Sequence, residues 1–220
     1  MWGPGAGGLI AAVVMFKSLR PLGFWGNRRT VGLAVLAVVV PLFYTVALQL
    51  PLESLGLVSL GRGNLNPRFM LLGMAYSLLS AVGEEIGWRG FASPVMSRVF
   101  GFTRGQILLG AIWFLWHLPM LLLTDYGRSP HWFFGNLMFL ISVTGLSVFL
   151  GWVRQAGARL WPCAIFHAAH NLYFQHLFEP VAPKVNAADY LIGEQGLLLA
   201  AAEVALGAWA LWAYRRPARA

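Results

Sequence analysis

The sequence predicts an all-α protein: a polytopic integral membrane helical bundle of about seven transmembrane helices. Three observations predict it. Apolar residues make up 58% of the 220 residues and charged residues only 11%, whereas a soluble domain averages roughly 45–50% apolar and about 25% charged. Hydrophobic runs of about 19–22 residues recur along the chain, each long enough to cross a hydrocarbon core of roughly 30 Å as helix. The loops between them alternate between basic and mixed charge, as loops on opposite sides of a membrane do. Mean hydropathy of +0.65 agrees. A disordered chain, a fibrous protein and a disulfide-stapled secreted domain are excluded. Cys163 is the single cysteine, so neither an internal disulfide nor a cysteine-rich metal cage can form.

The first run, Gly3 to Phe16, is about 14 residues, short for a span. It has no basic stretch before it, so it does not read as a cleaved signal peptide. Further runs fall near 31–50, 69–90, 106–124, 132–153, 160–178 and 195–214; counting the first gives seven. Pro/Gly clusters at Pro21 to Gly26, Gly61 to Pro67, Gly127 to Pro130 and Pro180 to Pro183 lie between runs, as turn chemistry requires. Pro41, Pro119 and Pro162 interrupt or open helices, which membrane helices tolerate when neighbours satisfy the backbone. Gly83 and Gly87, four apart, would let another helix approach closely. No long linker, low-complexity tract or internal repeat divides the chain, so residues 1–220 read as a single membrane-embedded domain.

The net charge of +8 is a matter of topology. Segments 17–30, 91–105, 154–159 and 215–220 fall on one side and carry Lys17, Arg20, Arg28, Arg29, Arg98, Arg104, Arg154, Arg159, Arg215, Arg216 and Arg219, with no acid among them. The opposite loops mix Arg62, Arg68, Arg128 and Lys184 with Glu53, Asp125, Glu179, Asp189 and Glu194. The positive-inside rule then puts the C-terminus in the cytoplasm and the N-terminus outside the cell (inner) membrane. No nucleic-acid partner is called for; the lipid bilayer is the partner.

Ionisable residues inside a span are costly and mark functional sites by default. Here they are Glu84, Glu85, Arg89, His117, His167, His170, His176 and Glu203, with the amide of Asn171. Glu85 and Arg89 are four apart and share a helix face in the favourable order. Glu84 projects about 100° away, so one carboxylate can pair while the other aims elsewhere. A buried spare carboxylate has its pKa raised toward the range of a general base; the plainer reading is an interfacial charge cluster on an emerging helix end. His117 sits among aromatic and apolar neighbours, where a histidine is often a core residue bonded to a carbonyl. His167 and Asn171 share a face and can hold a water, an oxyanion or, through the imidazole, a metal; plain helix–helix hydrogen bonding is the alternative. His170 either joins them or faces another helix. His176 reads as interfacial, and Glu203 has no functional account. Counted from the inner ends of their spans, Glu84, His167 and His117 lie roughly 9, 10 and 16 Å deep. All three can therefore meet in the inner half of the membrane.

Glu84-Glu85-x-x-x-Arg89, an aromatic-x-x-x-His117 and His167-x-x-x-Asn171, in that order on successive spans, resemble the CPBP intramembrane protease family, the CAAX-protease and bacteriocin-processing (Abi) family. The likeness covers about 69–178, the family's four-helix catalytic core, and leaves 1–68 and 179–220 as flanking helices. One departure is Trp113, which stands where the second motif usually has Phe. The resemblance implies a peptidase cutting a membrane-associated or lipidated peptide near the cytoplasmic leaflet. Glu84 would be the general base on water, Glu85 and Arg89 would order the helix end, and His117, His167 and Asn171 would position water and oxyanion.

Two alternatives stay open. His117, His167 and one glutamate make a zinc set of two imidazoles and a carboxylate, so the chemistry is either metal-dependent or glutamate-activated water without a cofactor. Equally, a transporter of protons or metal ions, or an immunity or regulatory scaffold, could use the same polar cluster. Confinement of polar groups to the inner half of the motif-bearing spans argues for hydrolysis. Cys163 lacks an evident base and reads as packing.

Overall fold

The computed structural model describes residues 1–25, 28–60, 67–124, 126, 131–157, 159–177, 180–183 and 189–216. The charges expected at Arg62, Asp125, Arg128, Glu179, Lys184 and Arg219 lie outside the described residues, as do the side chains of Arg28 and Arg29 and most of the turn clusters at 61–67 and 127–130.

Every predicted run falls on a helix. Among the described residues the α-helices are α1 (Gly3–Phe16), α2 (Arg28–Ser54), α3 (Pro67–Glu85), α4 (Ser93–Phe100), α5 (Phe102–Leu123), α6 (Trp132–Gly157), α7 (Trp161–His170) and α8 (Leu197–Arg215). Four are long and apolar enough to cross a membrane: α2 from Thr30 onward, α5, α6 and α8. The chain is a helical membrane protein, as its composition predicts.

The structure adds three features to that outline. The spans expected at 69–90 and 160–178 are not uniform helix: α3 passes into a π-helical turn at Ile86–Ala92, and α7 into another at Asn171–Leu177. The basic loop at 91–105 contains α4, too short and too polar to register as an apolar run. Finally, β1 (Val58–Leu60) pairs antiparallel with β2 (Pro180–Pro183), Val58 opposite Pro183 and Ser59 opposite Ala182. The prolines that make 180–183 look like a turn are tolerated because a two-stranded ribbon is all edge, where a missing N–H need not break a ladder.

The residues cluster into two compact units. The first joins Met1–Pro94 to Val153–Val185. In it α7 packs on α2 and α3, and α1 packs on α3 and the first π turn. The Gly83/Gly87 pair admits α1: a Cβ on Gly87 would lie 2.2 Å from the Pro4 carbonyl oxygen, and one on Gly5 would lie 2.3 Å from that of Gly83. Lipid is as apolar as leucine, so helices in a membrane gain mainly from such close packing. Below this contact, Ala12, Leu22, Ile86 and Leu160 form a buried cluster. The start of α7 is moored beside it, where Leu160 N–H donates to the Gly23 carbonyl at 3.0 Å and Trp161 Nε1 to that of Phe24 at 2.6 Å. Gly23 has φ 77°, the left-handed value that lets the chain leave the short 3-10 turn Arg20–Leu22.

The second unit joins Val95–Trp152 to Asn186–Ala220. Glycines mark its helix crossings. A Cβ on Gly110 would lie 2.6 Å from Thr144 Cα, one on Gly145 2.6 Å from the Glu203 carbonyl oxygen, and one on Gly207 2.7 Å from that of Gly145. Beside the α6–α8 crossing, Trp152 and Trp209 meet edge-on with centroids 4.7 Å apart.

Candidate active site

The first unit gathers its charges where α3 turns from α to π. An α-helix bonds each N–H four residues back, and a π turn five, which widens the coil; such turns are frequent at functional sites. Glu84 and Glu85 are the last α-helical residues, and Arg89 lies inside the π turn. All three are buried, Glu85 and Arg89 at 0% exposure.

Glu85 is the hub. Its Oε1 accepts from Arg89 Nη1 at 2.9 Å and from His167 Nδ1 on α7 at 3.0 Å. The predicted Glu85–Arg89 bridge is therefore present, and it extends to a third residue from another helix. Because the carboxylate accepts at Nδ1, the His167 ring carries a proton there. Glu84 points elsewhere, its Oε2 3.4 Å from Trp88 Nε1. Asn171 stands at the head of the second π turn, its backbone N–H shared between the His167 and Ala168 carbonyls. Each π turn thus opens beside a motif.

Arg154 was not foreseen as part of this assembly. The sequence puts it in a basic loop, but α6 continues to Gly157 and Arg154 is only 8% exposed. Its Nε donates to the Arg89 carbonyl at 2.9 Å and its Nη2 to that of Pro21 at 2.8 Å. A planar guanidinium has fixed donor directions, so it ties the π turn to the loop after α1. No spacing rule links residues 65 apart.

His170 faces another helix rather than joining His167: its Nδ1 is 2.5 Å from the hydroxyl of Tyr44 on α2. His176 is exposed, as an interfacial residue would be, and Cys163 is fully buried.

His117 belongs to the second unit. Its Nδ1 is 2.9 Å from the Trp113 carbonyl, and its ring stacks on Tyr126 and meets the edge of Phe139. The acceptor is the main chain at position 113, and the Trp113 side chain adds a tilted ring contact with His117. Glu203 is also in this unit, where it accepts from the Ser142 hydroxyl.

A helical membrane protein with a buried Glu–Arg–His cluster at an α-to-π junction defines the class. Residues 66–173 match the family described as type II CAAX prenyl endopeptidase Rce1-like. A curated relative, CAAX prenyl protease 2 of Methanococcus maripaludis, is 29% identical over 101 residues, covering 43% of this chain and 36% of its own length. These matches support the CPBP family. All six candidate residues, Glu84, Glu85, Arg89, His117, His167 and Asn171, fall inside the matched stretch.

Proposed function

We propose that this protein is an intramembrane endopeptidase that hydrolyses a peptide bond of a membrane-associated, prenylated protein near the cytoplasmic leaflet, with its C-terminus in the cytoplasm. The observation that carries the reading is the division of labour between adjacent glutamates. Glu85 is paired with Arg89 and His167, while Glu84, about 100° around the helix, turns its Oε2 toward Trp88 Nε1. Glu84 removes a proton from water as the hydroxide attacks the carbonyl carbon. His167 Nε2 accepts the remaining water hydrogen and so aims the oxygen, and the Asn171 amide donates to the developing oxyanion. As the C–N bond breaks, Glu84 returns its proton to the leaving amine. In the second unit His117 has Nδ1 held by the Trp113 carbonyl, and the family resemblance assigns it a part in positioning water and oxyanion.

The zinc set read from the sequence is His117, His167 and a glutamate. Nδ1 bonded to a carboxylate or carbonyl is what ligating histidines have. No step is routed through a metal. The relative's name supports a CAAX prenyl substrate, and the basic loops support the orientation.

The test is cleavage of a membrane-anchored prenylated peptide by purified protein in lipid. Glu84→Gln is expected to abolish cleavage while leaving the fold intact, and chelator is expected to leave wild-type cleavage unchanged. Wild-type activity in Glu84→Gln sinks the mechanism. A proton-carrying membrane protein is the second reading, favoured by Thr45 and Gln49 on α2 and Ser77 on α3, polar residues buried outside the motifs. It predicts proton flux in vesicles that Glu84→Gln stops.

A further inference from the structure

We propose that Tyr44 is a positioning residue of this site, acting through His170 on the turn of α7 that carries His167 and Asn171. The inference rests on the hydrolytic reading above. Tyr44 belongs to α2, outside the stretch 66–173 that the family match covers. Its hydroxyl lies 2.5 Å from His170 Nδ1, and both side chains are buried, at 7% and 6% exposure. The rings are fixed on either side: Tyr44 packs on Phe166 with centroids 6.4 Å apart, and His170 stacks on Phe174 at 5.6 Å and 10°.

Two buried hydrogen bonds therefore hold α7 from two helices. Glu85 on α3 takes His167, and Tyr44 on α2 takes His170. Residues three apart on a helix point roughly 60° from each other. Two bonds in different directions add to the packing of α7 on α2 and α3 in setting its rotation about its axis. A rotation of about 10° at a side-chain radius of about 6 Å moves a reacting group by roughly 1 Å. Displacement on that scale costs on the order of 100-fold in rate. The bond sits at the last α-helical residue before the π turn that begins with Asn171, so the residue it pins adjoins one of the groups proposed to act. A hydroxyl is not needed for packing there, since the ring alone fills the contact with Phe166.

The experiment compares wild type, Tyr44→Phe, His170→Gln and Glu84→Gln as full-length proteins in lipid. It measures kcat and KM separately, with thermal unfolding alongside. Tyr44→Phe is expected to lower kcat by roughly 10- to 100-fold, with KM within about twofold of wild type and unfolding unchanged. His170→Gln breaks the same bond from the other side, and adding Tyr44→Phe to it should lower kcat no further. Wild-type kcat in Tyr44→Phe, beside an inactive Glu84→Gln, overturns the role of Tyr44 alone. A loss confined to unfolding temperature or KM overturns it in favour of packing. Cleavage that ignores Glu84→Gln, or that wild type does not perform, overturns the hydrolytic reading and takes the role of Tyr44 with it.

Discussion

In the first unit α3 and α7 are joined by one carboxylate oxygen that accepts from Arg89 and His167 together. In the second, α6 and α8 are joined where Gly145 and Gly207 bring their backbones together. Both arrangements hold helices where burial of apolar surface gains little over lipid, but their failure modes differ. A shared charge fails when either partner is removed, because the survivor is left buried. A glycine crossing fails when anything is added. The first unit also contains both π turns, each next to a proposed catalytic group, whereas the helices that cross in the second run as uninterrupted α-helix. Charge and irregular backbone therefore coincide at the Glu84–Arg89 and His167–Asn171 motifs, whereas His117 sits on an uninterrupted α-helix.

The sharpest way to break the comparison is Glu85→Gln. The amide keeps the shape but removes the charge that Arg89 and His167 share, and breaking a buried pair from one side typically costs about 3–5 kcal/mol. A large drop in unfolding temperature together with loss of cleavage is expected. A variant that unfolds like wild type would show that the charge is not what ties α3 to α7. A smaller effect is expected from Gly145→Val. Its Cβ would sit 2.6 Å from the Glu203 backbone oxygen, which cannot swing away as a side chain could, so α6 and α8 must separate. Overpacking of this kind typically costs about 1–3 kcal/mol, read as a lowered unfolding temperature. Unchanged stability would mean that the two helices are not held by contact at Gly145.

Much of this contrast can be read from the sequence where it is local. The i, i+4 spacing of Glu85 and Arg89 foretells their bridge, and four-residue spacing of Gly83 and Gly87 foretells a close helix contact, though not that α1 is the partner. The helices themselves follow from apolar runs because a membrane leaves backbone groups no other way to be satisfied. What escapes is of two kinds. The α-to-π transitions depend on which carbonyl each N–H selects, a difference of one residue that leaves hydropathy unchanged. The contacts of Tyr44 with His170, Arg154 with Arg89 and Ser142 with Glu203 join residues 61 to 126 apart, and no periodicity encodes them. Hence Arg154 reads as a loop charge and Glu203 as unexplained until the helices are packed.

Glu203 carries the smallest prediction and the most direct test of how the second unit treats a buried acid. Its carboxylate is 1% exposed and accepts from Ser142 on the facing helix. Hydrogen bonds between membrane helices are worth about 0.6 kcal/mol on average and reach about 1.7, because partners are also found when the helices separate. Ser142→Ala should therefore lower stability by an amount within that range. Losing one partner of a buried pair leaves the other unsatisfied, whereas replacing both with apolar groups of similar shape can be nearly neutral. Combining Ser142→Ala with Glu203→Leu should accordingly recover the loss, since leucine puts no unsatisfied oxygen at the crossing. If the double variant is instead less stable than Ser142→Ala, Glu203 is contributing through something other than Ser142. The second unit would then resemble the first in building its helix contacts around a charge.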